Sequence, residues 1–119
     1  MNYKRITRLS ELEQLVQQQK EKQRAEIGQK HDQAKPRFSL LPQAPLWQVV
    51  AVLEFGAGKY GVDNWRNVPN ARERYFNACH RHLNAWWAGE MVDGESGLPH
   101  LAHAVCCLVF LMWFDGSEK

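Results

Sequence analysis

His100 and His103 lie three residues apart, with Cys107 four further on, and this spacing sets all three on one face of a helix. Two imidazoles so placed can reach a single metal ion. Just upstream, Gly89-Glu90-Met91-Val92-Asp93-Gly94-Glu95-Ser96-Gly97 gathers three carboxylates into a short loop punctuated by glycines. Carboxylates that close repel one another unless a cation or a basic group lies among them. Two readings follow: a solvated acidic loop, or a carboxylate–imidazole site for Mg²⁺ or Mn²⁺ built from Glu90, Asp93, Glu95, His100 and His103. Zinc on His100, His103, Cys107 and one carboxylate is a minor alternative, because no paired-cysteine spacing accompanies it.

Three further stretches carry cations beside aromatic or amide groups. Lys35-Pro36-Arg37-Phe38-Ser39 places two cations and a hydroxyl in a proline-fixed, extended segment. Gly56-Ala57-Gly58-Lys59-Tyr60-Gly61, followed by Asn64-Trp65-Arg66, reads as a glycine-rich turn that either ends a helix or meets a nucleotide. In the second case Lys59 faces phosphate, Tyr60 or Trp65 stacks on a base, and Asn64 offers an amide. The spacing is not that of a Walker loop, and the stretch follows a helix instead of preceding one. His80-Arg81-His82 adds a third cation, with Trp86 and Trp87 one turn later. Arg81 suits a phosphate or a neighbouring carboxylate; one tryptophan is expected in the core and the other at an interface.

The elements that position these groups are all helical. An N-terminal helix is signalled by Ser10 and Glu13 as a capping box and by Leu9, Leu12, Leu15 and Val16 at helical spacing. Its apolar stripe lapses after Val16, so it reads as a solvated or docked extension. A second helix is expected from about Pro45 to Tyr60, its end loosened by Gly56, Gly58 and Gly61. A third is opened by Asn70 with Glu73 and runs to about Ala88, before Gly89. A fourth opens at Ser96–Pro99 and stops near Gly116. No stretch alternates with period two for long enough to suggest a strand. The expected class is all-α: a small helical bundle with an N-terminal helical extension.

The 119 residues allow one ordinary domain, and the net charge of +2 is too small to argue for nucleic acid or a membrane surface. That +2 is uneven: residues 1–37 carry nine Lys/Arg and five Asp/Glu, and residues 38–119 carry six and eight. Every Trp and Phe lies at or after Phe38. We therefore expect an extension over 1–34 and a compact domain over 35–119. The longest apolar run, Ala104 to Phe114, is about half of a membrane span. The charged first twenty residues lack the apolar core of a signal peptide, and three cysteines make no disulfide framework. A cytoplasmic setting is expected. A domain this small does not enclose a large pocket alone, so a homo-oligomer, dimer or tetramer, is expected, with no membrane or direct nucleic-acid contact.

The strings KPRFSLLP, GKYGVDNWRNVP and RHLNAWWAGEMVDGESGLPHLAHAVC together resemble the phage-associated dATP/dGTP diphosphohydrolase N-terminal domain family, across Lys35 to Leu111. The resemblance implies a MazG-like all-α fold that removes pyrophosphate from purine deoxynucleoside triphosphates with Mg²⁺ or Mn²⁺. On that reading Glu90, Asp93, Glu95, His100 and His103 hold the metal, with Glu95 and His103 as catalytic candidates and Glu95 taking the proton of an attacking water. Lys35, Arg37, Ser39, Lys59, Tyr60, Asn64, Trp65 and Arg81 meet the nucleotide. The chain departs from the family at Gly58, where a second lysine is common, and at Cys107, where an asparagine is. It also lacks an E-E-x-x-E motif on the helix after Pro45, where Glu54 is the only carboxylate. A protein that binds the nucleotide without cleaving it is the alternative reading.

Overall fold

The computed structural model describes residues 9–117, and the chain divides into two compact units with the boundary in sequence between Arg37 and Phe38. The first contains α1 (Leu9–Glu26), a polar helix that leaves Leu15 and Val16 exposed and braces itself through Gln17 Nε2 donating to Glu21. Ser10 already lies inside α1, so it does not act as the expected cap.

The second unit contains α2 (Gln43–Tyr60), α3 (Ala71–Trp87) and α4 (His100–Ser117), with short 3₁₀ turns at Phe38–Leu40 and Asn64–Asn67. Among the described residues there is no strand, only an isolated antiparallel bridge between Val92 and Pro99. The all-α expectation holds. Two local expectations do not. α2 runs from Gln43 to Tyr60, ending where expected, but Gly56 and Gly58, also read as part of a glycine-rich turn, lie inside the helix. Tertiary packing of the neighbouring Phe55 and Ala57, both partly buried, outweighs the roughly 1 kcal/mol that each glycine costs a helix. Asn70 does precede α3, but in a left-handed conformation (φ 53°), and its side chain makes no capping bond. Its carbonyl instead accepts from the Arg74 amide at 3.0 Å.

Gly61 is what ends α2, at φ 98° and ψ 153°, a region closed to residues with a Cβ. Its amide donates to the Ala57 carbonyl at 2.8 Å. Gly58 has open space around its Cα. Gly58→Ala is therefore expected to raise the thermal midpoint by a few degrees, through about 0.5–1 kcal/mol of helix propensity. Gly61→Ala is expected to lower it, by about 1–3 kcal/mol of backbone strain. Circular dichroism melts of the two variants check both signs.

α4 is central, packed extensively on α3 and less on α2. Its small residues permit this on two sides: Ala102 and Cys106 meet Val52 of α2, and Ala104 and Cys107 meet Cys79 of α3. Burial pushes the thiols of Cys106 and Cys107 up to about 11 and about 12, so both are inert neutral core groups at pH 7. Cys107 thus lies in the apolar contact between α3 and α4, away from any ligand set. Over its 18 residues α4 is long and apolar enough to cross a membrane by length and composition. The eleven-residue run counted in the sequence understates it, because the helix also contains His100 to His103 and the turn after Phe114.

Candidate functional site

The loop between α3 and α4 is a folded-back clasp. The Asp93 amide donates to the Leu98 carbonyl at 2.8 Å, and the His100 amide donates to the Met91 carbonyl at 3.0 Å. Within the clasp the Ser96 amide donates to Asp93 Oδ2 at 2.9 Å, and the Leu98 amide donates to Ser96 Oγ at 3.1 Å. Asp93 is therefore held at the start of α4, beside the two histidines of that helix.

His82, from α3, completes the cluster. Its Nδ1 lies 2.8 Å from Nδ1 of His100, and its ring stacks on that of His103 at 4.5 Å with the planes 10° apart. Ligand atoms of His82, Asp93 and His100 all fall within 4.8 Å of one another. Two ligands on adjacent positions about 2.1 Å from one ion stand about 3 Å apart, close to the separation of the two Nδ1 atoms. The other nitrogen of His100 is buried and makes no hydrogen bond, although Glu90 Oε1 stands 3.3 Å away. A carboxylate behind a ligating imidazole is the usual arrangement for orienting such a ligand. The donor set therefore fits a divalent cation, with His82, Asp93 and His100 as ligands and Glu90 behind His100.

Electrostatics agree with that fit. Burial, then the charges of His103 and His100, holds the His82 imidazolium below its ordinary pKa, and burial does the same for His103 against the pull of Asp93. Both are neutral at pH 7, the form that binds metal. Burial works to raise Asp93, but hydrogen bonds from Ser96 and the neighbouring imidazoles outweigh it, so its carboxyl stays ionised. Ser96, His103 and Asp93 are not a nucleophilic triad. Ser96 Oγ (2.7 Å) and Asp93 Oδ2 (3.9 Å) both approach the same nitrogen, Nε2 of His103, whereas a triad uses opposite nitrogens of the ring.

The other residues singled out in the sequence are placed as follows. Glu95 is not among the clustered ligand atoms; it pairs with Lys59, whose pKa the carboxylate and then Tyr60 raise, and its charge also reaches His103. Both members of that pair are substantially exposed. Tyr60, Asn64, Trp65 and Arg81 line a cavity of about 830 Å³ between α2 and α3, together with Arg74, Tyr75 and Asn77. Trp65 has one face occupied, stacked on Phe110 at 4.4 Å, with Trp113 edge-on at 5.1 Å. Ser39 is exposed in the 3₁₀ turn before α2, and Lys35 and Arg37 are exposed in the first unit. The cavity and the histidine cluster share no side chain, but both draw on α3: Arg81 lines the cavity and directly precedes His82, whose pKa its charge helps to lower.

His82, Arg74 and Asn77 were not among the expected site residues. The signal for His82 was present. Tyr75, Cys79, His82 and Trp86 recur at intervals of four, three and four, so His82 is the histidine on the inward stripe of α3.

A helical unit carrying both a cavity and a cation-ready cluster is the setting in which the comparisons with known proteins fall. The family model for the dATP/dGTP diphosphohydrolase N-terminal region matches residues 25–119, and the chain belongs to that family. A dATP/dGTP diphosphohydrolase of Salmonella phage PMBT28 is 37% identical over 86 residues, which cover 72% of this chain and 29% of the relative. The matched region thus spans less than a third of that relative's length. No solved structure matches the chain.

Proposed function

We propose that this chain binds purine deoxynucleoside triphosphates and hydrolyses them, with a divalent cation, to the monophosphate and pyrophosphate. The observation that carries the reading is a cavity of roughly 830 Å³, of a size for a nucleotide, on the same helices as the His82–Asp93–His100 cluster, with the cavity-lining Arg81 next to His82 in α3. Family membership and the activity named for the phage relative support it.

A divalent ion on His82, Asp93 and His100 would supply Lewis acidity toward phosphate oxygens and an acidified water. The chain's own groups do the rest. Arg81 and Arg74 meet phosphate charge through charge-assisted hydrogen bonds. Tyr60 presents a ring for the purine, and the Asn64 and Asn77 amides offer both donors and acceptors to its edge. When Lys59 turns to phosphate it releases Glu95, which then takes a proton from the attacking water. His103 holds Ser96 and stacks on His82, fixing the ring that faces His100.

Nucleotide binding without cleavage is the second reading, favoured by the presence of a single carboxylate, Glu54, on α2. The two separate in one assay. The protein is incubated with each deoxynucleoside triphosphate and Mg²⁺ or Mn²⁺, and the products are resolved by anion exchange. Monophosphate and pyrophosphate are expected with dATP or dGTP. Intact triphosphate recovered from a denatured complex supports the second reading, and release of orthophosphate contradicts the first.

A further inference from the structure

The charged residues that line the cavity divide by sign. Glu54 belongs to α2, and Asp63 follows in the connection to the second 3₁₀ turn; Arg74 and Arg81 belong to α3. Helical periodicity explains the division. Val50, Leu53, Glu54 and Ala57 recur on α2 at intervals of three, one and three, and Arg74, Asn77, Ala78 and Arg81 repeat those intervals on α3, so each helix turns one face to the cavity. Among the described residues no ion pair joins these carboxylates to these guanidinium groups. The cavity is therefore bipolar, and it suits a ligand with anionic charge at one end and a hydrogen-bond donor at the other.

Asp63 is the carboxylate that the fold holds in place. Its backbone adopts φ 60° and ψ 14°, the left-handed region that a residue with a Cβ enters at a cost and that aspartate enters more readily than most. Bonds on either side fix that backbone: the Asn64 amide donates to the Gly61 carbonyl at 3.2 Å, and the Arg66 amide donates to the Asp63 carbonyl at 3.0 Å. Arg66 also steadies the side chain. Its Nε stands 3.5 Å from Asp63 Oδ1, while its guanidinium lies over Trp65 and Trp113, 4.8 and 4.9 Å from the ring centres. No described group donates a hydrogen bond to this carboxylate, and it is more than half exposed.

With Oδ1 facing Arg66, one oxygen is left to meet a ligand. A single oxygen matches a single O–H, whereas the paired N–H donors of a guanine edge call for both oxygens of a carboxylate. On the reading that the cavity holds a deoxynucleoside triphosphate, the phosphates lie against Arg74 and Arg81, and the sugar keeps one hydroxyl, on its 3′ carbon. We propose that Asp63 is a sugar-reading residue, its free oxygen accepting a hydrogen bond from the 3′-hydroxyl of the bound nucleotide. This contact and the arginines of α3 together set which way round the nucleotide lies.

The inference rests on nucleotide binding in this cavity, and calorimetric titration separates the two claims. The probes are 2′-deoxyguanosine 5′-(α,β-imido)triphosphate and its 2′,3′-dideoxy counterpart, each with Mn²⁺. The wild-type chain is expected to bind the deoxy probe about tenfold more tightly, the size of one hydrogen bond to a charged acceptor. Asp63→Gly, which accepts the left-handed backbone without strain, is expected to bring the two affinities together by weakening the deoxy probe alone. Asp63→Asn, which keeps an acceptor oxygen and also tolerates that backbone, is expected to retain part of the difference. Equal binding of the two probes by the wild-type chain overturns the sugar contact and leaves nucleotide binding standing. So does an Asp63→Gly chain that keeps the tenfold difference, or one that weakens both probes equally, which would put the carboxylate against the base. Failure of the wild-type chain to bind either probe overturns nucleotide binding and this contact with it.

Discussion

His100→Ala is expected to weaken Mn²⁺ binding by about 100-fold or more, a loss of roughly 2.7 kcal/mol or greater. Removing even a group that only orients a ligand costs 10- to 100-fold in related settings, and His100 is placed as a ligand itself. Its Nδ1 faces His82 at 2.8 Å, its other nitrogen faces Glu90, and the residue is almost completely buried. No other described side chain stands in the same position. Calorimetric titration with Mn²⁺ measures the effect, and His31→Ala, an exposed histidine of the first unit, serves as the control with unchanged affinity. His82→Ala is expected to follow His100→Ala. Wild-type affinity in both variants would move the cation away from this cluster, and Glu90 and Glu95 would then be the groups to replace.

Phe110→Ala is expected to have the largest effect on stability. The ring stacks on Trp65 at 4.4 Å, lies 5.0 Å from Tyr75 and packs on the cluster of Val52, Ala102 and Cys106. It therefore ties α4 to α2, α3 and the 3₁₀ turn at once. Truncation removes the burial, leaves a cavity and strips Trp65 of its stacking partner, at a cost of about 3–4 kcal/mol. For a unit of this size the thermal midpoint should fall by roughly 15 °C. Phe110→Leu, which keeps most of the volume, should lose less than half as much. A circular dichroism melt that moves by only a degree or two for Phe110→Ala would show that the aromatic cluster does not hold the cavity floor.

The helices and their order were legible from apolar spacing and from Pro45, Gly89 and Pro99, because those signals are local. Gly56 and Gly58 misled for the same reason: their intrinsic cost to a helix is visible in sequence, whereas the packing that offsets it is not. In the site, the nearness of Asp93 to His100 and His103 followed from short separations along the chain. The pairing of Lys59 with Glu95 joins residues 36 apart, and no spacing rule reaches that far. The cavity was hidden as well, because it arises where α2 and α3 stand on either side of α4 and leave Arg74, Asn77 and Arg81 facing a gap. Trp65 shows the limit of residue-type reasoning. An aromatic beside a cation suits a nucleotide base, but here one face of that ring is committed to Phe110.

The central claim is that the histidine cluster and the cavity act as one site. A crystal structure with Mn²⁺ and a non-hydrolysable dGTP analogue tests it most directly, with anomalous scattering locating the ion. The account predicts an anomalous peak bounded by His82, Asp93 and His100, phosphates against Arg81, and the purine inside the cavity beside Tyr60. An ion held only by Glu90 or Glu95 at the surface, or a nucleotide bound outside the cavity, would contradict it.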